Sequence, residues 1–201
     1  ISTAAATPTV LGTVYGKMTA SGASPYLTAL GYYAANAGPS GSGVTAVGWG
    51  ALYVNSSGSD NTSVGMQSMV ANTTGSSNVA VGKQALQANT TASDNVAVGY
   101  QAAYTGSTAS GVVAIGKSTL YNNTAGYNTA VGYSVLYANT SGQYNVGIGG
   151  YGGGDSTLRY NTTGSNNTAV GMDALRSNTT ASNNTAVGFQ AAYNNTAQTI
   201  T

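Results

Sequence analysis

NTAVGYSVLYANTSGQY (Asn128 to Tyr144) and NTAVGMDALRSNTTASN (Asn167 to Asn183) are two copies of one 17-residue unit, and that unit decides the fold. Its anchor is a glycine preceded by Val or Ile, at Gly48, Gly65, Gly82, Gly99, Gly116, Gly132, Gly149, Gly171 and Gly188, with intervals of 17, 17, 17, 17, 16, 17, 22 and 17. Gly31 stands 17 residues before Gly48 and opens a weaker first copy. A fixed period of this length marks a stacked-repeat architecture, in which one unit cannot bury its own apolar side but neighbouring units can.

The segment ahead of each glycine alternates strictly. Thr129 and Val131 flank Ala130, Val96 and Val98 flank Ala97, and Val113 and Ile115 flank Ala114. A period of two with β-branched residues predicts a short strand. The β-branched side is assigned to the core, and the small side to close approach of another backbone. A second apolar position follows four residues after the glycine (Leu52, Met69, Leu86, Leu120, Leu136, Leu175), often with Tyr next to it. Asn comes seven after the glycine, at Asn55, Asn72, Asn89, Asn123, Asn139, Asn178 and Asn195, and then a Thr/Ser-rich turn cluster.

These features predict an all-β chain, a parallel β-solenoid or β-roll of about ten 17-residue coils. Equivalent residues lie about 4.8 Å apart along such a stack, so ten coils make a rod roughly 40 Å long. Identical residues then form ladders, with Asn hydrogen-bonding along the stack and Tyr stacking on Tyr. Residues 1–30 do not keep the repeat and are expected to be an N-terminal cap or connector; 31–201 form the solenoid domain. The long interval carries GGYGGGD (Gly149 to Asp155) and predicts an inserted loop near 149–155. The unit after Gly99 has Gly106 in the Asn column and Gly111 at another place where Asn is usual.

Composition narrows function. Among 201 residues there are five Lys or Arg, four Asp, no His and no Cys, for a net charge of +1. This gives no basic face for nucleic acid and no polybasic patch for a membrane surface. No apolar run is long enough to insert in a bilayer as a helix. Disulfides, thiolate metal sites and His-based acid–base chemistry are excluded within the chain. Asp60 and Asp94 occupy one phase two coils apart, near the carboxylate separation of inverting glycosidases, but both sit where Asp commonly forms turns. No catalytic residue, cofactor or metal is expected.

The NTAVG…AL..NTTGSNNTAVG pattern, over roughly residues 31–197, resembles two groups of sequences. One is the head repeats of trimeric autotransporter adhesins; the other is the longer repeat of phage and marine-viral tail-fibre-like proteins. The resemblance implies a left-handed parallel β-roll that trimerises, at a cell or virion surface. The 17-residue unit departs from the adhesin heads, whose unit is shorter.

The expected function is a structural or adhesive module of an extracellular fibre. Its partner is the protein itself, as a homotrimer or an end-to-end filament, together with cell-surface glycans. The alternatives are a glycan-binding receptor-recognition fibre and an ice-binding solenoid, the latter suggested by the doublets Thr73/Thr74, Thr90/Thr91, Thr162/Thr163 and Thr179/Thr180. Candidate glycan contacts are Tyr104, Tyr121, Tyr137 and Tyr151, because tyrosine faces suit sugar rings. Asn-x-Ser/Thr acceptors for N-glycosylation are Asn55, Asn61, Asn72, Asn89, Asn122, Asn139, Asn161, Asn166, Asn178, Asn183 and Asn194.

Overall fold

A computed structural model describes residues 26–152 and 154–196. It holds ten three-residue strands: β1 (Thr28–Leu30), β2 (Thr45–Val47), β3 (Thr62–Val64), β4 (Val79–Val81), β5 (Val96–Val98), β6 (Val113–Ile115), β7 (Thr129–Val131), β8 (Val146–Ile148), β9 (Thr168–Val170) and β10 (Thr185–Val187). They form one parallel sheet in sequence order, each strand paired with its equivalent in the next coil. The fold is a β-solenoid. Its register survives the irregular intervals: Val113 pairs with Thr129 across the 16-residue coil and Val146 with Thr168 across the 22-residue one. The length differences are absorbed in turns, where extra or missing residues leave the ladder intact.

The expected boundary after residue 30 falls one strand late, since Thr28–Leu30 already pairs in register with β2. The rest of the expected N-terminal cap, residues 1–25, lies outside the described residues.

The assignment of strand faces is reversed. The middle residue of each strand points inward: Ala46, Ser63, Ala80, Ala97, Ala114, Ala130 and Ala169 are fully buried, while their β-branched neighbours are half-buried or exposed. The reason is the thinness of the coil. The opposite wall brings in Leu52, Met69, Leu86, Leu120, Leu136, Leu158 and Leu175, all buried, and leaves the strand side room for little more than a methyl group. Two coils show the fit. A Cβ on Gly147 would lie 2.6 Å from Val135 Cγ1, so the large Val135 is matched by the absence of a side chain opposite. Ser63 and Ser68 replace apolar residues together and hydrogen-bond to each other and to the backbone carbonyls of Ser68 and Gly65, so both buried hydroxyls are satisfied.

The remainder of the core is polar and is organised in two asparagine ladders. Asn72 Nδ2 donates to Asn55 Oδ1 at 2.8 Å, Asn89 to Asn72 at 2.7 Å, Asn161 to Asn139 at 2.8 Å and Asn178 to Asn161 at 2.7 Å. A second ladder runs through Asn61, Asn78 and Asn95 and resumes at Asn128, Asn145, Asn167 and Asn184. Both ladders clasp the turn between them: the Gly75 carbonyl accepts from Asn72 at 3.0 Å and from Asn61 of the preceding coil at 2.7 Å. The coil after Gly99 interrupts both. Gly106 stands in one Asn column, and it is Val112, not Gly111, that replaces Asn in the other. Asn89 Oδ1 is accordingly buried without a partner, while Val112 N–H still donates to Asn95 Oδ1 at 2.8 Å; Asn95 Nδ2 is also buried without a partner.

The repeated glycine is demanded by contact as well as by conformation. Gly82 has φ 136°, and a Cβ there would lie 2.4 Å from the Gly99 carbonyl oxygen. Four residues on, Leu86 holds φ 48° and sends its side chain into the core. That left-handed turn costs about 1–2 kcal/mol, against about 1.5–3 kcal/mol for burying leucine, so burial carries the corner.

Candidate functional site

Because small residues fill the strand interior, the β-branched residues form a continuous outer face. One column runs Thr45, Thr62, Val79, Val96, Val113, Thr129, Val146, Thr168, and the other Val47, Val64, Val81, Val98, Ile115, Val131, Ile148, Val170. Val81, Ile115 and Ile148 are exposed, and the others in these two columns are half-buried. In-register parallel pairing makes the face regular, and the seven steps of about 4.8 Å along these columns make it about 34 Å long. Neither column carries a charge along its length.

A third column went unnoticed in the sequence although it has the same 17-residue period. The residue just after the glycine is Tyr32, Trp49, Met66, Lys83, Tyr100, Lys117, Tyr133, Met172 or Phe189, with Gly150 as the one gap. Lys83 and Lys117 each hold their ammonium 5.8 Å from the Tyr100 ring centre, and Lys117 lies 5.4 Å from that of Tyr133.

Of the four tyrosines expected to touch glycans, three come together and one stands apart. Tyr104 stacks on Tyr121 at 4.8 Å and 7°, and Tyr121 on Tyr137 at 5.1 Å and 12°. The Arg159 guanidinium lies 5.2 Å from the Tyr137 ring centre, and beyond it Arg176 meets Tyr160 and Tyr193. Both faces of Tyr121 are therefore covered by its own neighbours, and this ring offers no face to a sugar. Burial, followed by the neighbouring phenols, raises its pKa above the ordinary tyrosine value. Tyr151 sits in the inserted loop, 73 % exposed and away from this ladder. The loop closes through Tyr151 N–H donating to the Asp155 carbonyl at 3.1 Å, and Asp155 meets Arg176 at 3.5 Å.

The glycosylation acceptors divide by the direction of the side chain. Asn55, Asn61, Asn72, Asn89, Asn139, Asn161 and Asn178 are fully buried ladder members, so in the folded chain their amides cannot carry a glycan. Asn166, Asn183 and Asn194 are exposed and Asn122 half-exposed. The threonine doublets are likewise divided. Thr73, Thr90 and Thr162 each donate their hydroxyl to a carbonyl of the next coil, leaving the second residue of each doublet exposed. Asp60 and Asp94 hold φ 55° and 62°, in a turn position that Ser77, Asn166 and Asn183 fill in the same conformation; Asp and Asn are the side chains that tolerate it best. Among the described residues no three His, Cys, Asp or Glu side chains are grouped to hold a metal ion.

No protein-family model, curated protein or solved structure matches this chain.

Proposed function

We propose that the protein is a structural module of an extracellular fibre, and that copies associate side by side through the outer β-branched face. The observation that carries this reading is the face itself: two uncharged columns of Thr, Val and Ile on a regular sheet. A strip about 34 Å by 10 Å covers about 340 Å². That is less than half of the roughly 800 Å² that each partner contributes to a standard interface, but it matches the largest apolar patch of a typical monomer, which is often a functional surface. The three-fold arrangement implied by the adhesin-head resemblance would bury it along the rod axis. A fibre role also accords with a core made of repeated ladders.

The test is the mass of the native protein by analytical ultracentrifugation across a dilution series. The parent is expected as one species of several copies, and Val98→Lys combined with Val131→Lys as a folded monomer. A parent that stays monomeric throughout refutes the proposal. The same face supports a second reading. Four of its rungs set Thr beside Val on the strand surface (Thr45/Val47, Thr62/Val64, Thr129/Val131 and Thr168/Val170), which the turn doublets do not, and such a surface can order water as an ice-binding plane. A monomeric parent showing thermal hysteresis that the lysine variant lacks would establish that reading instead.

A further inference from the structure

At the N-terminal end of the described solenoid, Tyr33, Trp49, Tyr53, Gln67 and Val70 surround a cavity of about 260 Å³ whose floor is Gly50. Two columns explain it. The position two residues after the repeat glycine is Gln67, Gln84 and Gln101 in successive coils, and these amides form a ladder: Gln101 Nε2 donates to Gln84 Oε1 at 3.0 Å, and Gln84 Nε2 to Gln67 Oε1 at 3.4 Å. The next place in this column is Gly50, which has no side chain. The ladder therefore stops at Gln67, whose Nε2 has no acceptor among the described residues. The space a fourth glutamine would occupy is open, and aromatic rings wall it. Trp49 is 46 % exposed, and Tyr33 and Tyr53 meet edge to face at 5.6 Å.

We infer that this cleft binds a neutral pyranose ring of a glycan. The chemistry follows from the walls. Indole and phenol faces match the apolar C–H face of a sugar, while the Gln67 amide, the Trp49 indole N–H and the tyrosine hydroxyls supply hydrogen bonds to ring hydroxyls. No charged side chain lines the cleft, so an ion would lose hydration without a counter-charge. An aromatic enclosure can also attract a quaternary ammonium. Here, however, the unspent polar group is an N–H donor, which opposes a cation and suits a hydroxyl oxygen. The site is separate from the Tyr104–Tyr137 ladder.

The protein carries its own reporter, because Trp49 is the only tryptophan of the chain. Titration with methyl glycosides of glucose, galactose and N-acetylglucosamine is expected to change Trp49 emission saturably for at least one of them, with a dissociation constant on the order of 1 mM. Gly50→Gln should abolish the response with the fold intact, since Gln67 and Gln84 hold φ 55° and 60° in the same column and Gly50 already has φ 66°. The new side chain extends the ladder into the cleft. Tyr53→Ala is expected to weaken binding roughly tenfold and decides the matter if Gly50→Gln misfolds. No response to any glycoside overturns the inference, as does an undiminished response in these variants. Saturable quenching by tetramethylammonium with none by the glycosides overturns it in favour of a cation site.

Discussion

Asparagine is the residue on which this core turns. Asn72 donates two hydrogen bonds and accepts one, all inside the protein. Asn72→Ala removes the three together and leaves buried groups unsatisfied, so a loss of about 2–3 kcal/mol is expected. Asn89→Ala removes only two, at 2.7 and 3.1 Å, and also removes an oxygen that has no partner because Gly106 stands in the next coil. Urea denaturation should therefore rank Asn72→Ala as the more damaging by about 1 kcal/mol; equal losses would mean that the ladder does not act as a ladder. The Asn column was legible in the sequence because it recurs at a fixed distance from the glycine. Its burial was not, because Asn-Thr-Thr reads identically as a glycan acceptor and as a core residue followed by a turn. Only the way the side chain points separates Asn72 from Asn166.

At the level of the element, the strands could be read from alternation, but not which side of them faced in. Apolar, β-branched Val96 and Val98 are the natural choice for a core, and Ala97 is buried instead. What decides is the opposing wall, and that wall depends on Leu86 and Gln84 adopting left-handed backbone, a state that neither residue type announces. The sugar cleft was hidden for a related reason. It is defined by a side chain missing at Gly50, which becomes visible only when the columns Tyr33, Gly50, Gln67 and Gln84 are placed beside one another. The stacked tyrosines carry a prediction of their own. Tyr121 has its pKa raised in the folded state, so the folded protein retains a proton that the unfolded chain releases at about pH 10. Stability is then unaffected below that pH and falls as pH rises through and beyond it. Thermal melts of the parent should fall more steeply above pH 10 than those of Tyr121→Phe, with the phenolate absorbance of Tyr121 appearing late; parallel curves for the two would refute it.

On the scale of the whole molecule, every junction is nearly the same junction. Coils of 16, 17 and 22 residues share one register, since the differences lie in the turns. Removing residues 66–82, one full period between Gly65 and Lys83, rejoins surfaces that already fit. The deletion is expected to yield a folded, shorter rod with an unchanged circular dichroism spectrum per residue. Removing only 66–73 throws every later strand out of phase and is expected to unfold the protein or leave it molten. A period-length deletion that fails to fold would show that the coils are not interchangeable neighbours.

The three amide ladders also share a sense of direction. In each, the nitrogen of the later coil reaches back to the oxygen of the earlier one: Asn72 to Asn55, Asn78 to Asn61, Gln84 to Gln67. Turn amides such as Met69 N–H and Thr73 N–H donate the other way, to Ala85 and Thr90 of the following coil. Turning a single ladder amide around would set two oxygens or two N–H groups face to face with its neighbours. The orientation of each column is therefore all-or-none: the first amide to dock fixes that of every later one.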